Sequence, residues 1–286
     1  MQYVNYLFSV LACLCLASTL HAAEPPSTAG EVFKDCETCP EMVVLPSGSF
    51  VMGSPAMEPG RHSDEGPLRK VTFARPFAIS RFYVTAGEWD VYAKETGITL
   101  ENGDTRPGRE CINGKPRYPQ GPRQPAVCVD YEDVRAYISW LAEKTGKPYR
   151  MISEAEREYA ARAGSEGRFP FDDKNSFDLT KHANTLGAAD GYEYTSPVDS
   201  FPPNDFGVYD MHGNVYEWVA DCWHPNYVGA PTDGSAWMEE DCKAHHIRGN
   251  DWLSQSIFSR SANRNVRKPD VRGDWIGFRV ARDLEQ

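Results

Sequence analysis

Hydrophobic positions divide the chain into three stretches of different character. From Tyr6 to Leu20 every residue is apolar or small and none is charged; Ala22, Ala23 and the polar Glu24-Pro25-Pro26 follow. An apolar run of that length ahead of small residues reads as an export signal, and it is short for a membrane span. The expectation is a signal peptide over 1–23 and a periplasmic or secreted product. No later run is long enough to cross a membrane. Residues 24–40 read as a loose leader, with a single domain over 41–286.

Apolar runs with strand character then alternate with turns. MVVLPSGSFVM, Met42 to Met52, predicts two strands joined as a hairpin through Pro46-Ser47-Gly48. Arg69 to Val84 holds two more strand-like runs around Arg75-Pro76. The period changes at Thr85-x-x-Glu88, a capping box that opens a helix with Trp89 and Tyr92 on one face, ending near Gly97. Residues 98–124 are rich in Gly, Pro and Arg; a loop that long is uncommon unless tied down or functional. Asp130 caps a helix over Tyr131–Thr145 whose stripe is Val134, Tyr137, Ile138 and Leu141, stopped by Gly146 and Pro148. A short strand at Tyr149 leads to a second capping box, Ser153-x-x-Glu156, and a helix through Ala163. Beyond Gly164 only short runs between turn residues remain. They hold Trp218, Trp223, Trp237, Trp252 and Trp275. The pattern predicts an α+β fold of low regular content, two or three helices around small antiparallel sheets.

Charge and cysteine content narrow the function. The formal net charge is -11, and residues 1–22 contain no charged side chain, so the charge belongs to the exported part. An acidic chain argues against a nucleic-acid partner. Cys36, Cys39, Cys111, Cys128, Cys222 and Cys242 follow the signal, an even number that reads as disulfides in an exported chain. Proximity favours pairing neighbours in sequence, although spacing alone leaves the connectivity open. Cys36-Glu37-Thr38-Cys39 has redox-motif spacing but no helix after it, and no further ligands at zinc-site spacing accompany it.

Five segments, in order across nearly the whole exported chain, resemble the formylglycine-generating enzyme (sulfatase-modifying factor) family: Met42–Gly53, Phe77–Trp89, Tyr149–Ala163, Phe206–Trp218 (FGVYDMHGNVYEW), and Ile247–Arg279, which begins IRGNDW and ends GFR. The resemblance implies a C-type-lectin-like architecture. It implies a structural calcium held by side chains of Asp210 and Glu217 and carbonyls of Gly213 and Val215, oxygen donors suited to that ion. It implies a second calcium near Asn184, Thr185, Asp190 and Tyr192. The copper oxidases of the family follow an Arg-Gly-Gly-Ser-Trp segment with two cysteines five residues apart. Here those positions are Ser254 and Ser259, after Arg248-Gly249-Asn250-Asp251-Trp252. A hydroxyl cannot replace a thiolate on Cu(I), so copper held by thiolates is not expected and any redox metal stays unidentified.

Asp251, Trp252, Ser254, Ser259 and Arg260 are the cleft candidates, with Arg264 beside them and His224, His245 and His246 on nearby segments. The C-terminal arginines could bind an anionic ligand or pair internally with carboxylates. Family relatives without both cysteines include the periplasmic protein that matures the pyoverdine chromophore. A variant oxidoreductase on a peptide or peptide-derived small molecule is therefore the expected function. The alternative is a non-enzymatic C-type-lectin-like module that binds a peptide, glycan or small molecule. Iron-dependent C–S bond formation needs an additional helical domain for which the chain has no room.

Overall fold

The computed structural model describes residues 28–104, 109–171 and 177–284. The signal-peptide reading and the start of the leader lie outside the described residues. In chain order the elements are β1 (Val32–Phe33), β2 (Met42–Leu45), β3 (Gly48–Met52), β4 (Arg69–Phe73), β5 (Phe77–Ser80), α1 (Ala86–Thr96), β6 (Cys111–Ile112), β7 (Lys115–Pro116), α2 (Tyr131–Thr145), β8 (Tyr149–Met151), α3 (Glu154–Arg162), β9 (Tyr216–Cys222), β10 (His245–Arg248), β11 (Asn265–Arg267), β12 (Ile276–Phe278) and β13 (Val280–Asp283).

The three α-helices of the described residues start at the caps legible in the sequence, and Asp130, read as a simple cap, also forms a capping box with Asp133. Thr85, Asp130 and Ser153 each accept from the third helical amide, and each is capped in return by Glu88, Asp133 or Glu156. A reciprocal cap satisfies two amides that the helix itself leaves unpaired. α1 and α2 end on Gly97 and Gly146 in left-handed conformation. α1 and α2 bury Trp89, Tyr92, Tyr137 and Leu141 against Phe278 and Trp218 in one core.

The hairpin expected at Met42–Met52 does not form. β2 is buried along its length and lies between β1 and β5 in a five-stranded sheet ordered β1-β2-β5-β13-β8. β3 alternates in burial and pairs only with β4. Pro46-Ser47 therefore carries the chain from one sheet to another. The continuous apolar run of β2 suits a doubly covered strand, whereas the alternating run of β3 suits a half-exposed one. The segment read as a leader is also partly built in. Val32 and Phe33 pair with Val43 and Met42. Asp35 accepts from Tyr149 Oη at 2.6 Å and from Arg282 Nη1 at 2.9 Å.

The second sheet, β11-β10-β9-β12, positions the site. It is antiparallel except where β12 runs parallel to β9. The disulfides are Cys36–Cys39, Cys111–Cys128 and Cys222–Cys242. The second ties down the long 98–124 loop, whose Gly103 and Asp104 amides bond to Cys111 and Arg272 carbonyls, both at 2.9 Å.

Candidate active site

β10 ends at Arg248, and the chain turns at once through two residues of positive φ, Gly249 at 108° and Asn250 at 83°. A Cβ on Gly249 would lie 2.7 Å from the Arg157 guanidinium, so only glycine fits there. The turn delivers Asp251 and Ser254 to the wall of a cleft of about 660 Å³. Its other walls are Tyr216 at the start of β9, Asn265 and Arg267 of β11, Asp270 to Arg272, Trp275, and Asn102 to Asp104 with Arg109 from the disulfide-tied loop.

Asp251 is nearly buried, and its Oδ1 accepts from the Leu253 amide at 3.2 Å. Burial pushes its carboxyl above the ordinary aspartate range, against the pull of the Ser254 hydroxyl and the Arg109 guanidinium. Ser254 also contacts the Tyr216 hydroxyl, which accepts from Asn265 Nδ2 at 3.3 Å. Burial raises the Tyr216 phenol as well. Asp251, Ser254 and Tyr216 thus stand together on the cleft wall. A carboxyl raised by burial at a cavity is a candidate for proton transfer.

The other cleft candidates fall elsewhere. Trp252 lies behind the wall, its indole nitrogen donating to Asp274 O at 3.2 Å and its ring 5.7 Å from Arg109. Ser259 is fully buried and accepts from Asn250 Nδ2 at 2.7 Å. Arg260 is paired with Glu58 at 2.8 Å and Glu65 at 2.6 Å, clamping the 58–65 loop. Arg264 pairs with Glu154 at 2.8 Å. No histidine lines the cleft among the described residues. His245 stacks on Tyr131, His224 stacks on Trp237, and His246 accepts from Arg264 at 2.6 Å. All six cysteines of the described residues are in disulfides, so the donors here do not fit thiolate-held Cu(I).

Tyr216, Asn265, Trp275 and Arg109 are cleft residues that reading the sequence missed, whereas Arg267 is one of the C-terminal arginines considered there for an anionic ligand. Tyr216 sits inside the quoted FGVYDMHGNVYEW segment, between positions read as calcium ligands. The usable signal for Arg109 was the length of its loop.

At the second implied calcium position, Asn184 Oδ1 is buried without a hydrogen-bond partner. Asp190 accepts only backbone amides, from Thr185 at 2.8 Å and Tyr192 at 2.9 Å. These oxygens fit a hard cation. The first position is built differently. Glu217 lies between Arg157 and Arg279, and the Gly213 and Val215 carbonyls face the Tyr83 hydroxyl.

Residues 28–284 match the model of the sulfatase-modifying factor enzyme 1-like domain. The inactive C-alpha-formylglycine-generating enzyme 2 of Bos taurus is 32% identical, covering 84% of this chain and 87% of that protein. The formylglycine-generating enzyme of Streptomyces coelicolor is 30% identical, covering 92% of each. The solved structure of PvdO from Pseudomonas aeruginosa superposes with a TM-score of 0.88 at 70% identity, over 91% of this chain and all of that one. With residues 28–284 matched to that domain, this chain belongs to the sulfatase-modifying factor family and has the formylglycine-generating enzyme fold.

Proposed function

We propose that this chain is an exported variant oxidoreductase acting on a peptide or peptide-derived small molecule, as in maturation of the pyoverdine chromophore, and not a copper-thiolate formylglycine-generating oxidase. The observation that carries the reading is the cleft. Where the family's first cysteine would stand, Ser254 shares the cleft wall with the raised carboxyl of Asp251 and the phenol of Tyr216. Asp251 is the acid–base group, Ser254 and Tyr216 relay its proton, and Arg109 and Arg267 border the bound substrate. The walls offer carboxylates, hydroxyls and an amide, which suit a polar substrate of modest size. Likeness to PvdO over that protein's whole length supports the pyoverdine-related reading. Three disulfides support a periplasmic or secreted site of action. Calcium at Asn184, Thr185, Asp190 and Tyr192 would brace the loop whose Leu186 amide holds the Ser254 carbonyl at 3.0 Å.

A binding module without catalysis is the second reading, favoured by the likeness to a relative named as inactive. Metal analysis and oxygen uptake on the purified protein separate the two. Oxygen uptake with a peptide-derived substrate that falls roughly 10²–10⁴-fold in Asp251→Ala, with the unfolding midpoint unchanged, supports catalysis. Full activity in that variant removes Asp251 from the mechanism. Tight binding with no turnover on any candidate establishes the module.

A further inference from the structure

We infer that the first calcium position implied by the family is closed in this chain by the side chain of Tyr83, and that the loop there is stapled by a phenol and two guanidiniums with no metal ion. This is independent of the chemistry at Asp251. Tyr83 lies between β5 and α1 and is 1% exposed. Its hydroxyl sits 2.8 Å from the Asp210 carbonyl, 3.1 Å from that of Gly213 and 2.9 Å from that of Val215. Both carbonyls implied as calcium ligands thus converge on the phenol, which shares its one proton among the three oxygens.

The carboxylate ligands are also engaged or unsupported. Glu217 Oε1 accepts from Arg157 Nε at 2.7 Å, and Oε2 lies 3.2 Å from Arg279 Nε, with all three side chains fully buried. The Arg279 guanidinium stands 4.2 Å over the Tyr83 ring. A divalent cation at Glu217 would meet two fixed positive charges already paired to the carboxylate it needs. Calcium takes about 6–8 oxygens. What is left here is the carboxylate of Asp210, whose two oxygens are buried without hydrogen-bond partners, and Glu217 Oε2, which meets Arg279 as an ion pair without a hydrogen bond. One carboxylate beside a guanidinium balances that charge and does not make a calcium site.

The deciding experiment is a calcium soak of crystals of the full exported chain, read by anomalous scattering. No peak within coordination distance of Gly213 O and Val215 O is expected, whatever is bound at Asp190. A peak there overturns the inference. In solution, Tyr83→Phe should lower the melting temperature by several degrees, and millimolar calcium should not restore it. If that variant fails to fold, native mass spectrometry of the wild type and Asp210→Asn decides. An equal calcium count in both agrees with the inference, whereas one ion fewer in Asp210→Asn overturns it.

Discussion

Arg248 and Asp251 are three residues apart on the segment that ends β10, yet they belong to opposite kinds of environment. Arg248 is wholly buried, and both of its terminal nitrogens are fully engaged. Its two terminal nitrogens donate to Glu154 at 2.6 Å, Glu158 at 2.7 Å, the Ser261 carbonyl at 2.8 Å and the Tyr227 hydroxyl at 3.1 Å. Glu154 is shared with Arg264, and although burial opposes it, Arg264, His246 and Arg248 hold its carboxyl far below the usual range. Asp251 has an amide and a serine hydroxyl and opens on a cleft. A closed ion network fixes a shape, whereas an under-partnered carboxyl at a cavity keeps its proton available for chemistry.

The largest effect expected follows from the closed side. Arg248→Ala leaves Glu154 with Arg264 and Glu158 with Arg162, and the buried network one cation short. Breaking a buried network by removing one partner costs about 3–5 kcal/mol. A urea unfolding curve should show that loss, with the population of folded protein falling before any property of the cleft changes. If Arg248→Ala unfolds like wild type and instead loses turnover, the contrast between the two residues is wrong and the arginine faces substrate.

That network also marks where reading the sequence stopped short. The helices were legible because capping boxes and the 3.6-residue period are local: Thr85, Asp130 and Ser153 each announce a start within four residues. Family membership was legible from five ordered segments. The closed network was not, because α3 reads EAEREYAAR, a polar helix that should lie on the surface, yet all nine of its residues are buried. Its Arg157, Glu158 and Arg162 find partners on segments up to 109 residues away in sequence, and pairing across such distances leaves no periodic trace. The split of β2 and β3 into different sheets was hidden for a similar reason. A Pro-Ser-Gly link between two strands looks the same whether the strands pair with each other or with others. In the cleft, Asp251 and Ser254 were found because they replace family residues, whereas Tyr216 and Arg109 come from other parts of the chain and join them only in three dimensions.

A smaller effect sharpens the open side. The Ser254 hydroxyl pulls the Asp251 pKa down while burial pushes it up. Removing that hydroxyl in Ser254→Ala leaves burial less opposed, so the Asp251 carboxyl is raised further. If Asp251 works as a base, it is active when deprotonated, and turnover falls as pH drops through its pKa. The acidic limb of the rate profile should therefore move to higher pH in Ser254→Ala, with a loss of about tenfold or less at the plateau. A limb that stays in place would mean that the serine does not touch the titrating group.

Ser259 gives the smallest effect and the cleanest separation, because the family pattern pairs it with Ser254 and the geometry does not. Its hydroxyl accepts from Asn250 Nδ2 at 2.7 Å inside the turn that aims Asp251, and it is fully buried away from the lining of the cleft. Ser259→Ala removes one neutral hydrogen bond and leaves the Asn250 amide its contact with the Gln255 carbonyl at 3.2 Å. The expected loss is about 1 kcal/mol of stability, seen as a small shift in the urea midpoint. The pH profile should not move, since no contact joins Ser259 to Asp251. Turnover should stay near wild type unless the turn relaxes enough to withdraw Asp251 from the cleft, in which case Ser259→Thr, which keeps the hydroxyl, should restore it. A Ser259→Ala variant that folds normally but loses turnover, without rescue by threonine, would place the second serine at the substrate after all and make the two serines a functional pair.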